Sequence, residues 1–598
     1  MFQSFEVTSN PGDGAGRLRA LRGELVAADL DGFLVPRSDA FRGENVAPRD
    51  ARLAWLTGFS GSAGFCAALG DKAGVFIDGR YRVQVLAQVD GRCFTPVHWP
   101  EVKLGDWLRE ALPDGGKVGF DGWLHTPGEI DELRKSLAGS GVELYATENL
   151  VDRIWHDRPD PPLGKAVDHP VKFAGEAARD KRARLAAELR EAHQRAAVIS
   201  LPDSIAWLLN IRGSDIARVP VVQAFALLHD DARVQLFSDP AKFDGLALDS
   251  DVTLLGWERF AATLGALRGP VRLDNDSAPL AIRDILDAAK VKVVTATDPC
   301  ILPKARKNEV EIAGARAAHL RDGAAMVEFL CWLDGAAPGG GLDEIKVVRA
   351  LEGFRRATDA LLDISFETIC GAGPNGAIVH YRVDEASNRA IGVGELLLVD
   401  SGGQYRDGTT DITRTIAVGP PGAEERAAFS RVLQGMIAIS QARWPKGLAG
   451  RDLDALARRA LWSAGQDYDH GTGHGVGSYL GVHEGPHGIS RRATVPLEVG
   501  MILSNEPGYY REGAFGIRCE NLLVVRDAPV LEGGDARDML CFETITLVPI
   551  DRRLIEADML SRAERAWIDA YHARVARKIG PRLSAGARDW LVHATAPL

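Results

Sequence analysis

Near the start of the chain the apolar residues Leu18, Leu21, Leu25 and Ala28 recur at helical spacing, and the pattern then closes into an unbroken run from Gly32 to Val35. That sequence of periods predicts an amphipathic helix leading into a short strand buried on both faces. The same plan returns further on, with Leu185, Leu189 and Ala192 on a helical period and Ala196 to Ile199 as the buried run. RLAWLTGFSGSAG in the first copy matches SIAWLLNIRGSDI in the second, setting Trp55 against Trp207. Further strand-like runs follow, Gly74 to Asp78 in one copy and Gln223 to Leu228 in the other. A period this long indicates two duplicated α/β domains and not a solenoid of short repeats. The proline-rich stretch from Arg158 to Pro170 reads as the linker between them.

A third region starts near Pro303. Asn308 is placed to cap a helix, with Glu309 and Glu311 in the first turn, where carboxylates suit the helix dipole. Beyond it the chain is rich in strands and glycine up to about residue 550. In the tail, Ser561 and Glu564 form a capping box and Gly580-Pro581 ends the helix. The helix between them has one apolar face, Trp567, Tyr571, Val575 and Ile579, predicted to pack on the chain's own body in preference to a second subunit. The boundaries expected are 1–160, 161–302, 303–550 and 551–598.

The 598 residues are too many for one core, and 46% hydrophobic with 26% charged is an ordinary globular balance. A net charge of -11 excludes the basic footprint of a nucleic-acid binder. Seven scattered cysteines without a CxxC pair argue against a disulfide framework and a zinc–cysteine site. The opening MFQSFEVTSN has no basic or apolar signal segment, and no apolar run approaches a membrane span. The expectation is a cytoplasmic protein that binds neither membrane nor nucleic acid.

Chemistry concentrates in the third region. Five of the fourteen histidines (His380, His470, His474, His483, His487) fall between residues 380 and 487, beside carboxylates in unusual places. Asp400 ends the apolar run Leu396 to Val399, Glu506 closely follows Met501-Ile502-Leu503, and Glu520 interrupts two apolar runs. A carboxylate in a buried strand loses several kcal/mol of hydration unless a positive partner replaces the water. Folding the segment 400–411 about Tyr405-Arg406 sets Asp400 opposite Asp411, and folding 506–520 about Gly513 sets Glu506 opposite Glu520. Opposed like charges destabilise a sheet unless they share a cation. Four carboxylates and one imidazole make a hard donor set, suited to manganese, cobalt or zinc, and exceed what one ion needs. Two ions are therefore expected, able to lower the pKa of a shared water and steady a tetrahedral intermediate.

The strings TICGAGPNGAIVHY, LLLVDSGGQYRDGTTDITRT, HGTGHGVGSYLGVHEGP and SNEPGYYREGAFGIRCEN closely resemble those of the long, three-domain Xaa-Pro aminopeptidases of the pita-bread metallopeptidase family M24B. The resemblance spans essentially the whole chain. It implies two creatinase-like N-terminal α/β domains, a pita-bread catalytic domain, a short helical extension and a homodimer. It also implies that Asp400, Asp411, His474, Glu506 and Glu520 bind two divalent ions, first of all Mn2+, with Asp411 and Glu520 bridging. His380 and His483 then line the substrate site and stabilise the intermediate, His470 and Arg518 support the metal shell, and Glu506 shuttles the proton. A hydroxide bridging the ions would release the first residue of peptides with proline second. Arg80 is a further candidate to reach substrate, and His487 is expected at the surface or behind the ligands. Cys519 stands where an aliphatic residue is common, and strand alternation turns it away from the metals.

Two rival readings are a prolidase, which takes only Xaa-Pro dipeptides, and an inactive peptide-binding relative. The duplicated front half speaks against the first, and the complete ligand set against the second. GAGPNG at Gly371 to Gly376 and GTGHGVG at Gly471 to Gly477 lack the GK[ST] ending of a phosphate loop.

Overall fold

The N-terminal repeat folds as two six-stranded sheets of the same topology. In the computed structural model, which describes residues 1–598, the first sheet takes the order Thr95–His98, Ala73–Ile77, Phe65–Leu69, Gly32–Pro36, Gly116–Phe120, Val142–Ala146. The second takes the order Val252–Leu255, Val234–Phe237, Phe225–His229, Ala196–Ile199, Val271–Leu273, Val293–Thr295. In each, the strand following the first long helix runs antiparallel to one neighbour and parallel to the other. The repeat of spacing in the sequence is thus a repeat of fold. The helices that precede these strands, Pro11–Ala27 and Ala178–Glu191, bury Leu18, Leu21 and Leu25 in one copy and Leu185 and Leu189 in the other. Trp55 and Trp207 both lie on the short helix after the strand. These sheets belong to one compact unit, Thr8–Lys304.

Ala305–Leu598 form the other unit together with Met1–Val7. Gln3 exchanges hydrogen bonds with the backbone of Thr368, and Phe5 is buried in this unit's core. The helix Glu309–Ala336 begins with the expected cap: Asn308 accepts from the amide of Glu311, whose carboxylate accepts from the amide of Asn308. Ser561 and Glu564 do the same for Arg562–Ile579, and its face of Tyr571, Val575 and Ile579 lies in the core with Trp567 packed against it. The C-terminal aromatic face therefore packs on its own body.

Two sheets frame the chemistry. One has three strands in the order Ile369–Ala372, Leu396–Ser401, Ile412–Ala417. The other runs Arg443–Pro445, Met539–Thr544, Asn521–Asp527, Ile502–Asn505, Gly473–Gly475, Glu484–Ile489. The apolar face of Ala423–Ser440, with Phe429, Val432, Leu433 and Met436, shares a core with Leu397, Val399, Ile416 and Ile517. No helix is long and apolar enough to cross a membrane.

One buried ion pair ties helix to sheet beneath Asp400. Arg355 donates to both oxygens of Asp322 (2.8 and 3.2 Å), Tyr405 donates to the same carboxylate (2.7 Å), and Arg355 also reaches the carbonyl of Ser401 (3.4 Å). Burial alone would raise the Asp322 carboxyl, but Arg355 and Tyr405 outweigh it and hold it below its ordinary value. Asp322→Ala leaves the buried guanidinium unpaired and is expected to cost about 3–5 kcal/mol in chemical denaturation. A loss under about 1 kcal/mol, the worth of an exposed pair, contradicts this.

Candidate metal centre

Each acidic residue stands where a strand ends or breaks. Asp400 is the penultimate residue of Leu396–Ser401, and Asp411 lies just before Ile412–Ala417. Glu506 directly follows Ile502–Asn505, while Glu520 separates Phe515–Arg518 from Asn521–Asp527. His474 is the central residue of Gly473–Gly475, where the backbones crowd. A Cβ on Gly473 would sit 2.0 Å from the carbonyl of Ser504, and one on Gly475 would sit 2.1 Å from that of Glu484. The glycines of GTGHG thus admit neighbouring strands to the imidazole.

The register settles the two hairpins differently. Asn505 pairs with Asn521 and Gly508 with Arg518, so Glu506 stands opposite Glu520 as its spacing about Gly513 predicts. In the first hairpin, however, Asp400 faces Thr413, and Tyr405 pairs with Gly408 across the tip Arg406-Asp407. The direct opposition of Asp400 and Asp411 read from the sequence is therefore wrong by two residues. The tip is fixed by the helix beneath it. Gly408 packs on Ala315, the carbonyl of Asp407 closes on Gly314, and Arg321 binds the Asp407 carboxylate (2.9 Å). A two-residue offset preserves the sheet face.

The side chains nevertheless converge. Nε2 of His474 lies 3.4 Å from Oδ2 of Asp411 and 3.5 Å from Oε1 of Glu506. Ligand atoms of Asp411, His474 and Glu520 all lie within 4.8 Å of one another. His474 Nδ1 donates to the carbonyl of Gly475 (2.9 Å), which leaves Nε2 as the lone pair facing the acids. Ser504 links the halves, accepting from the His474 amide (2.9 Å) and donating to Glu506 (3.1 Å). Thr413 donates to Glu520 (2.8 Å).

Arg518, fully buried, donates to Oδ2 of Asp400 (2.7 Å), to the hydroxyl of Tyr510 (2.5 Å) and to the carbonyl of Val379 (3.4 Å). His470 contacts the same Tyr510 hydroxyl through Nε2 (2.9 Å). His474 and His483 approach edge to face, with ring centroids 4.2 Å apart. His380 is half-buried, next to the Val379 that Arg518 holds. Arg80 pairs with Asp78 of its own turn (2.7 Å). Cys519 points into the apolar core. His487 is buried, with Nε2 2.9 Å from the carbonyl of Ile502 and its ring against Gly475, so it sits behind the His474 strand.

Burial and mutual repulsion with Asp411 and Glu506 push the Asp400 carboxyl up to about 6, although Arg518 opposes them. Burial likewise raises Glu506, and raises Glu520 well above its ordinary value with Asp411 and Asp400 adding to the effect. Burial would lower His474, but Asp411 and Glu506 overcome it and lift the imidazole to about 9. One guanidinium cannot neutralise four acids. Oδ1 of Asp400 and Oδ1 of Asp411 are also buried and accept no hydrogen bond. Orphaned carboxylate oxygens, raised acids and an imidazole with its lone pair turned inward fit hard divalent cations.

Sequence reasoning missed Arg414. It is buried and donates to the backbone carbonyls of Glu520 (2.6 Å), Thr413 (2.9 Å), Pro549 (3.0 Å) and Val548 (2.8 Å), bracing the segment that carries Glu520. The available signal was an arginine inside an otherwise uncharged strand, between Thr413 and Thr415.

The chain is similar to known proteins along nearly its whole length. Residues 313–527 match the model of metallopeptidase family M24, and 538–598 match the C-terminal region of peptidase M24. Residues 17–154 and 157–311 match two creatinase/prolidase N-terminal domain models. A probable Xaa-Pro aminopeptidase P of Laccaria bicolor is 40% identical, covering 97% of this chain and 93% of its own. Aminopeptidase P2 of Arabidopsis thaliana is 38% identical, over 95% of this chain and 86% of its own. Among solved structures, the X-prolyl aminopeptidase of Caenorhabditis elegans, described as a cytosolic enzyme with a di-nuclear active site, superposes with a TM-score of 0.92 at 33% identity. It covers 98% of this chain and 100% of its own. A prolidase from Thermococcus sibiricus, at 22% identity and a TM-score of 0.51, shares the fold.

The electrostatics set the direction of a pH test. With Asp400 raised to about 6, the metal-free folded chain holds more protons than the unfolded one between its ordinary value of about 3.9 and that point. Its stability therefore falls as pH rises through that window. The raised His474 acts in the same direction in a higher window. As imidazolium it stabilises the folded chain fully below its ordinary value of about 6.5, and that contribution is lost as pH rises past about 9. Cations need the acids ionised and the imidazole neutral. The gain in Tm on adding Mn2+ to chelated protein is expected to grow between about pH 6 and about pH 9. A gain independent of pH contradicts this electrostatic account.

Proposed function

This chain belongs to metallopeptidase family M24 and is an Xaa-Pro aminopeptidase, and on that premise we propose that Asp400, Asp411, His474, Glu506 and Glu520 bind two divalent cations at its active site. The observation that carries the assignment is the grouping of Asp411, His474 and Glu520 within 4.8 Å, with Glu506 3.5 Å from the same imidazole and the buried Oδ1 atoms of Asp400 and Asp411 unsatisfied. Manganese is the first choice for so oxygen-rich a set, ahead of cobalt and zinc. Two such ions supply, when bound, a water of lowered pKa and electrophilic stabilisation of a tetrahedral oxyanion.

The chain's own residues do the rest. Asp411 and Glu520 would be shared between the ions, with Asp400 completing one site and His474 and Glu506 the other. Glu506 would take the proton of the attacking water and deliver it to the leaving proline nitrogen. His380 and His483 donate hydrogen bonds to the oxyanion. His470 and Arg518 meet at the hydroxyl of Tyr510, and through Arg518 they fix the rotamer of Asp400. The peptide's free amine binds at the acidic end of the site, which limits cleavage to the first bond. Residues 1–160 and 161–302 are the creatinase-like domains, 303–550 the pita-bread catalytic domain and 551–598 its helical extension; the matched family models support this division. Cytoplasmic location is supported by the cytosolic Caenorhabditis elegans relative. A homodimer rests on family resemblance alone, since the C-terminal aromatic face packs within the chain, and a monomeric mass in solution contradicts it.

Reconstituted with Mn2+, the protein is expected to release the first residue from Xaa-Pro-Yaa tripeptides and longer peptides. Activity confined to Xaa-Pro dipeptides would instead make it a prolidase. Glu520→Gln is expected to abolish turnover and to lower bound metal below two equivalents. His380→Ala is expected to lower kcat by about 10²–10³-fold with both equivalents retained. Metal loss in that variant would move His380 from the substrate side to support of the ligands.

A further inference from the structure

The motif GAGPNG, left without a role once phosphate binding is set aside, opens the segment that carries His380. This segment leaves the strand Ile369–Ala372, makes the 3-10 turn Gly373–Ala377, and crosses as irregular backbone to the strand Leu396–Ser401. Its glycines serve close packing. A Cβ on Gly516 would stand 1.7 Å from the carbonyl of Gly376, and one on Gly371 would stand 2.6 Å from the amide of Gly376. The turn therefore rests on the strand Phe515–Arg518, which leads to Arg518 and Glu520.

One side chain gathers the whole segment. Glu344, fully buried at the first turn of the helix Glu344–Arg356, accepts from the amide of Ala372 at its start (2.8 Å) and from the amide of Arg389 near its end (3.2 Å). Between them it accepts from the side-chain amide of Asn375 (3.0 Å to each oxygen) and the hydroxyl of Tyr381 (2.9 Å). Asn375 Nδ2 also lies 2.8 Å from the Tyr381 hydroxyl, and that hydroxyl lies 2.9 Å from the carbonyl of Ser387. His380 sits between two fixed points: Tyr381 bound to Glu344, and Val379 whose carbonyl accepts from Arg518.

We propose that Glu344 is a positioning residue for His380, a buried carboxylate that sets the imidazole over the substrate through Asn375 and Tyr381. It rests on the role given to His380 above. The amides of Ala372 and Arg389 and the side-chain NH2 of Asn375 can only donate, and the two carboxylate oxygens of Glu344 accept from all three. Glu344→Gln turns an amide NH2 toward one set of donors while keeping the size of the side chain. A displacement of about 1 Å in a catalytic group costs on the order of 10²-fold in rate.

The test is a double-mutant cycle on full-length, Mn2+-loaded protein, with kcat, KM and bound manganese measured on an Xaa-Pro-Yaa substrate. Glu344→Gln is expected to lower kcat by about 10- to 100-fold with little change in KM or metal content. In a His380→Ala background the same change is expected to cost less than about twofold more, because the residue it positions is gone. Asn375→Ala, at a half-buried site, repeats the cycle with a smaller loss and serves if Glu344→Gln does not fold. Equal losses in both backgrounds, or a loss of metal in step with activity, overturn the positioning role alone. Full turnover in His380→Ala itself overturns the role of His380, and this inference with it.

Discussion

Three buried carboxylates, Asp400, Asp411 and Glu520, with the half-buried Glu506 beside one imidazole, are the constraint that governs this structure. Charges of one sign in so small a volume repel each other by several kcal/mol at interior dielectric, and burial adds to that cost. The chain relieves only part of it, with Arg518 on one oxygen of Asp400 and hydroxyls from Thr413 and Ser504 on the glutamates. What is left over appears as raised acids and bare Oδ1 atoms on Asp400 and Asp411. That residue of uncompensated charge is what the proposed pair of divalent cations would neutralise.

The surrounding fold can be understood as the means of holding such a cluster together. Each acid sits where a ladder ends, so its backbone is fixed by the neighbouring strand while its side chain is released from the pleat. Gly473 and Gly475 let two strands close around His474. Arg414 bolts the Glu520 segment to the carbonyls of Val548 and Pro549, and the Asp322–Arg355–Tyr405 group supports the Asp400 strand from below. These buried pairs stiffen ligands that would otherwise spread apart, and preorganised ligands are what a two-cation site requires.

Much of this was legible in the sequence where a local rule applied. Asn308 with Glu311 and Ser561 with Glu564 form the capping boxes their spacing announces, because capping depends on residues three apart. The duplicated spacing around Trp55 and Trp207 corresponds to two sheets of one topology. The Glu506–Glu520 hairpin is symmetric about a glycine with positive φ, and its register follows. The Asp400–Asp411 hairpin is not so marked. Its tip is placed by Gly314, Ala315 and Arg321, far away in sequence, and spacing alone erred by two residues. Glu344, Arg414 and the buried position of His487 were hidden for the same reason: Arg389, Glu520 and Ile502, which hold them, lie 15 or more residues away.

Anomalous scattering from crystals of Mn2+-loaded protein, collected on both sides of the manganese absorption edge, distinguishes shared cations from ordinary ion pairing. Two manganese peaks are expected, both touching Asp411 and Glu520, one completed by Asp400 and the other by His474 and Glu506. A single peak, or carboxylates turned away into pairs with arginine and lysine, would contradict that arrangement.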